Sequence, residues 1–188
     1  MISDEKNKVI VWVNEETELN CKGIDSNIII VKDDTHKSAY DCFMKIKDKA
    51  IEITFPQFDM QPVLFEVEND EIAIFINQIY GMICKNQVVG VDISEIAECI
   101  SNKKSGKFIT ELISKQDTEQ VTKVFRTKLH KGRTGIIFRV EGDVTLSEST
   151  ELADNILDET SNEDTIDVFS VTYESDNYQD TKRISMWY

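Results

Sequence analysis

Asp92 and Glu95 stand three residues apart, where Val88-Val89-Gly90 gives way to a helical apolar pattern. The D-x-x-E spacing is that of a capping box. The first acid accepts from free N–H groups of the first turn, and the second reaches back to the N–H of the first. Read this way, the pair needs no catalytic role. Cys21, Cys42, Cys84 and Cys99, with His36 and His130, are the other residues suited to nucleophilic or metal chemistry. No C-x-x-C pair occurs, so no zinc or other metal site is expected. Reduced, partly buried thiols are expected instead. His130 follows a helical pattern among Lys128, Lys131 and Arg133. These cations complement the negative end of a helix dipole, and a catalytic histidine would need a nucleophile that the sequence does not supply. The acids Glu148, Glu151, Asp154, Asp158, Glu159, Glu163, Asp164 and Asp167 read as a solvated helix face, with a metal or a basic partner as the alternative. Trp12, Trp187 and Tyr188 read as packing residues.

The elements that hold the acidic pair follow from periodicity. Ile72, Phe75, Ile76, Ile79, Met82 and Ile83 recur at helical spacing. Ala73, Ile74 and Tyr80 occupy other faces, so a helix over 69–84, capped by Asn69, is expected to be covered on most sides. A second helix over 92–104 carries Ile93, Ile96, Ala97 and Ile100. Strands are expected at 107–113, 135–140, 165–173 and 181–187, with helices at 117–129 and 145–159. Thr145 and Glu148 form a T-x-x-E capping box for the last of these, whose apolar residues are Leu146, Ala153, Ile156 and Leu157. Upstream, Val9–Val13 and 27–31 read as buried strands and 51–55 as a third. Between them, Ala39, Phe43, Ile46 and Ala50 suggest a helix over 35–50. The expected class is α/β (α+β): a four-stranded mixed sheet with two packed helices, preceded by a central helix and a small N-terminal α/β segment. The expected division is 1–61 and 62–188.

Length and charge narrow the function. The 188 residues fit one compact domain or one domain with a small appendage. A net charge of −14 argues against nucleic acid and against anionic membrane surfaces, since both need cations to replace counterions. No apolar run has the length of a membrane span, and the N-terminus lacks the apolar core of a signal peptide. A cytoplasmic location is expected.

The stretch from Phe65 to Ile96 resembles the central helix and following catalytic loop of FtsZ, the bacterial tubulin homologue. Phe65, Val67, Asp70, Ile72, Ile76, Ile79 and Ile83 fall at matching or similar places without a gap. Val89, Gly90, Val91, Asp92 and Glu95 then overlay the loop. The family's asparagine is Gly90 here, and its second aspartate is Glu95. Gly135–Gly142 resembles a later FtsZ strand, 146–156 the helix after it, and 165–173 with 181–187 the last two strands. The segment 25–34 faintly resembles the last strand of the family's nucleotide domain. Residues 1–61 are therefore either a remnant of that domain or an unrelated α/β unit.

The resemblance implies that Asp92 and Glu95 act in trans: in FtsZ filaments the equivalent acids reach the GTP pocket of the next subunit and help polarise the attacking water. FtsZ also carries a glycine-rich phosphate loop. The glycines here stand at 23, 81, 90, 106, 132, 135 and 142, none adjacent to another, so no such cradle is present and no nucleotide cofactor is expected. The expected function is that of a non-catalytic FtsZ-like or tubulin-like interaction protein. It would bind a filament-forming relative, or itself, and cap assembly, with cell division as the implied process. Activation of a partner GTPase in trans and a scaffold that kept only the fold stay open as alternatives.

Overall fold

A computed structural model of the chain describes residues 9–13, 23–31, 41–84, 87–114, 118–128, 135–157, 166–172 and 181–188. The chain forms two compact units. One comprises Met1–Lys85 with Ile100–Lys107, the other Asn86–Cys99 with Phe108–Tyr188. This division falls at different places from the expected 61/62 break. His36, Cys21 and His130 lie outside the described residues.

The first unit holds β1 (Val9–Val13), β2 (Ile29–Val31), β3 (Cys42–Lys47), β4 (Ala50–Thr54) and β5 (Val63–Glu66), with α1 (Ile72–Cys84). Strand β1 pairs in parallel with β2 and β3, and β3, β4 and β5 run antiparallel in succession. The helix expected over 35–50 is corrected, because 42–47 and 50–54 form a hairpin. Lys47 lies opposite Ala50, so Asp48 and Lys49 make a two-residue turn. Lys49 takes φ 51°, in the left-handed region, and so closes the turn. The helical spacing of Phe43 and Ile46 was real. It was outweighed by the apolar residues of both strands, Met44, Ile46, Ile51 and Ile53, all buried without exposure.

Strand β2 is corrected in burial: Ile29 is 42% and Ile30 39% exposed, and among the described residues this strand pairs only with β1. Strand β5 was not expected. Its signal is the alternation of Val63, Phe65 and Val67, all buried, with Leu64 and Glu66 between them.

Helix α1 is covered on most sides, with Phe75, Ile76, Ile79 and Met82 at 1% exposure or less. Phe75 packs on Phe65 of β5, ring centroids 5.7 Å apart. The helix begins later than expected. Its first bond runs from the Phe75 N–H to the Glu71 carbonyl, which makes Glu71 the cap and leaves Asn69 in the preceding turn. Asn77, halfway along, accepts from the Asp25 N–H at 2.9 Å and donates to the Gly23 carbonyl at 2.6 Å. It thereby pins the 23–28 turn, where Gly23 has φ 96°.

The second unit is built on β6 (Ser105–Ser114), β7 (Ile136–Gly142), β8 (Ile166–Thr172) and β9 (Thr181–Trp187), with α3 (Thr118–Lys128) and α4 (Leu146–Leu157). Strand β9 runs antiparallel to both β6 and β7, and β8 pairs with β7 in parallel. The two crossovers, β6–α3–β7 and β7–α4–β8, are βαβ units. Phe125 of α3 and Leu152, Ala153 and Ile156 of α4 share one core with Phe138, Val140, Ile184 and Met186. A self-contained four-stranded sheet is corrected in one respect: Ser105–Lys107 of β6 also pair with β5 inside the first unit.

Helix α4 starts as its capping box dictates. The Thr145 N–H and hydroxyl donate to Glu148 Oε2 at 2.7 and 2.8 Å, and the Glu148 N–H donates to Thr145 Oγ1 at 3.2 Å. Leu146, one of the apolar residues of this helix, is 48% exposed. Trp187 and Tyr188 are buried as packing residues, Trp187 against Phe108 at 4.9 Å. The Trp12 side chain is outside the described residues.

Candidate functional site

The acidic pair lies at the start of α2 (Ile93–Ser101). Asp92 is the cap: its carbonyl accepts from the Glu95 and Ile96 N–H groups at 3.1 and 3.3 Å. Its Oδ1 accepts from the Ser94 N–H and from the Ser94 hydroxyl, both at 2.8 Å. Glu95 reaches back, and its Oε2 accepts the Asp92 N–H at 2.8 Å. The capping box read from the spacing is thus complete. It leaves Asp92 Oδ2 and Glu95 Oε1 with no partner among the described residues. Both side chains are exposed. Hydrogen bonds to Ser94, from the backbone first and the hydroxyl second, hold the Asp92 carboxyl below its ordinary value. It is a stable anion facing water. Gly90, two residues before it, has open space: an added Cβ would meet nothing within 4 Å.

The loop that carries the pair is tied down upstream. The Val88 and Val89 N–H groups donate to the Val171 carbonyl of β8 at 2.8 and 3.3 Å. Beside them lies a buried polar cluster. Arg139 of β7 has no exposure. Its guanidinium donates to Glu141 Oε1 through Nη2 at 2.7 Å and Nε at 3.3 Å, and to Ser170 Oγ through Nη1 at 2.8 Å. Gln87 Oε1 accepts from the Ser170 hydroxyl and, at 3.4 Å, from Arg139 Nη1. A buried guanidinium is tolerated only when its donors are met. Here the last acceptor comes from the loop leading to Asp92.

None of these four residues was picked out from the sequence. The available signal was Arg139-x-Glu141 inside the apolar run Ile136–Gly142. Alternate residues share a strand face, so an isolated opposite-charge pair there must be buried together.

The other candidates do not converge on this loop. Cys42, Cys84 and Cys99 form no disulfide. Burial pushes the Cys42 thiol up, helped by the nearby Cys84 and Asp41. Burial also raises Cys84 to about 11, with Asp41 and Asp25 adding to it. Neither is an activated nucleophile. Among the described residues, no group of three or more His, Cys, Asp or Glu could hold a metal ion. No helix there is long and apolar enough to cross a membrane.

No protein-family model matches the chain, and no curated protein matches it in sequence. Solved structures do. A tryptophan-to-tyrosine mutant of FtsZ from M. jannaschii superposes with TM-score 0.54 at 19% identity, covering 63% of this chain and 38% of that one. An empty FtsZ dimer from the same organism superposes with TM-score 0.54 at 17% identity, over 63% and 36%. At such identities the likeness establishes the fold. Over the matched 63% the chain has an FtsZ-like fold, as its resemblance implied, and it spans under two fifths of the length of the FtsZ chains it matches.

Proposed function

We propose that the chain is a non-catalytic interaction protein that docks through the Asp92 loop on a filament-forming FtsZ-like relative and caps its assembly. The observation that best supports this is the held loop. Gln87, Val88 and Val89 are anchored to β7 and β8, while Asp92 and Glu95 each keep one carboxylate oxygen open to solvent. An anchored loop that presents unspent acceptors is suited to a partner surface rich in donors. The same stretch of sequence offers no glycine-rich cradle for phosphate. A subunit of this kind docks on the exposed nucleotide face of a terminal relative and offers no such face to the next. It therefore slows growth at substoichiometric amounts. The direct test is light scattering of an assembling FtsZ with a small fraction of this protein added. Reduced growth with a detectable complex is expected. Unchanged assembly without a complex refutes the reading.

The open oxygens also favour a second reading, in which the acids assist a partner's GTP hydrolysis in trans. The two separate by mutation. If the acids are catalytic, Asp92→Asn with Glu95→Gln preserves docking and abolishes stimulated hydrolysis. If they only cap α2, the double variant loses stability and its effect on the partner barely changes. Both readings require that the protein itself bind neither GTP nor GDP usefully. Calorimetry with each nucleotide and Mg²⁺ checks this, and a dissociation constant of roughly micromolar size would overturn them.

A further inference from the structure

A cleft of about 510 Å³ opens between α3 and α4, lined by Glu119, Thr122 and Arg126, by Glu148, Glu151, Leu152 and Asn155, and by Lys182 of β9. Its volume is in the range of small-ligand sites. Lys182 is the unusual member. The residue is 5% exposed, so its stem is buried, and its ammonium lines the cleft with no hydrogen bond or ion pair among the described residues. An unengaged cation at the floor of a cleft is available to an anionic ligand group.

Two other charges in the walls are already committed. Arg126 donates through Nε at 2.7 Å, and through Nη2, to the Asn155 carbonyl. Glu148 completes the α4 capping box. What remains is Lys182 with the carboxylates of Glu119 and Glu151, both exposed and at the rim.

The position in the fold agrees with a binding role. Lys182 pairs with Ile113 near the end of β6 and with Gly142 at the end of β7. These two parallel strands run on into α3 and α4. Open α/β sheets bind ligands at the carboxyl ends of their strands, where helix N-termini also favour an anion.

We infer that this cleft binds a basic amino acid. Its carboxylate meets the Lys182 ammonium, and its two cationic groups meet Glu119 and Glu151. One open cation against two open carboxylates is the inverse of that ligand's charges. A simple dianion such as phosphate would satisfy Lys182 and be repelled by the rim. An amine without a carboxylate would satisfy the rim and leave Lys182 unpaired.

The test is a titration of the whole protein by calorimetry, with amide chemical shifts as the site readout. The probes are L-arginine, agmatine (arginine without its carboxylate), acetate and inorganic phosphate. Saturable L-arginine binding is expected, with shifts centred on α3, α4 and the start of β9. Agmatine should bind about tenfold more weakly, in line with the loss of one charge-assisted contact. Lys182→Met should abolish the difference between arginine and agmatine. Glu151→Gln, at an exposed position, should weaken arginine severalfold. Four results overturn the inference: no saturable arginine binding, equal binding of agmatine, phosphate or acetate binding tighter than arginine, or an unchanged arginine preference in Lys182→Met. If Lys182→Met does not fold, the wild-type comparison of arginine with agmatine and the Glu151→Gln variant decide the matter.

Discussion

Ser94 sets the acidity of Asp92, and the consequence for stability has a definite sign. The folded carboxyl titrates below its ordinary 3.8, so the unfolded chain takes up this proton first as pH falls. The cap's contribution is complete above 3.8 and fades as pH drops through the lower, folded value. Carbon-detected titration should place the Asp92 midpoint below 3.8. Ser94→Ala removes the hydroxyl but leaves the backbone N–H, and should move the midpoint part of the way back. The second cap gives a stability prediction. Thr145→Ala removes the acceptor for the Glu148 N–H and should cost about 1 kcal/mol in urea unfolding. For the thiols, a Cys84 value near 11 against the ordinary 9.0 implies a thiolate fraction roughly 100-fold smaller at neutral pH. Alkylation of Cys84 in the native protein should be slower by about that factor.

Elements whose boundaries follow from one local pattern were legible. Helix α4 starts where its T-x-x-E box places it, and β9 spans Thr181–Trp187 as alternation predicts. The 42–54 hairpin was misread because Phe43 and Ile46 satisfy a helical spacing as well as a strand one, and a turn of Asp48 and Lys49 has no glycine to announce it. The acidic pair was legible down to its hydrogen bonds, because a capping box is local. Its anchor was not, because Gln87, Arg139 and Ser170 meet only through the pairing of β7 with β8 and the return of the loop to Val171. That anchor is testable. Arg139→Met takes the guanidinium away from the buried Glu141 carboxylate and Ser170 hydroxyl and should cost about 3–5 kcal/mol, whereas Arg139→Met with Glu141→Leu should cost less than the single change. Gln87→Ala takes an acceptor from the buried Arg139 and Ser170 and should cost about 1–3 kcal/mol, with the Val88 and Val89 amides exchanging faster with solvent. If their exchange does not change, Gln87 does not hold the loop.

Across the whole molecule the charge balance is decisive for the choice of partner. With 35 acids against 21 lysines and arginines, the chain should not retard duplex DNA in a gel-shift assay at low salt, nor sediment with anionic vesicles. Association with a complementary basic surface should instead weaken as salt is added. Measuring complex formation with an FtsZ-like partner across a salt series separates a charge-steered contact from an apolar one. No change in affinity across the series would exclude the Asp92 loop as the principal contact.

Gly90 is an empty socket beside the acids, and its open surroundings make it a place to attach chemistry. Position 90 can accept a side chain without displacing a neighbour. Gly90→Cys, charged with a short photoactivated cross-linker, would put a reactive tether two residues from Asp92 on the solvent side. Irradiation in a cell extract would then join it covalently to whatever seats on the loop, and mass spectrometry of the adduct would read the partner's own contact residue.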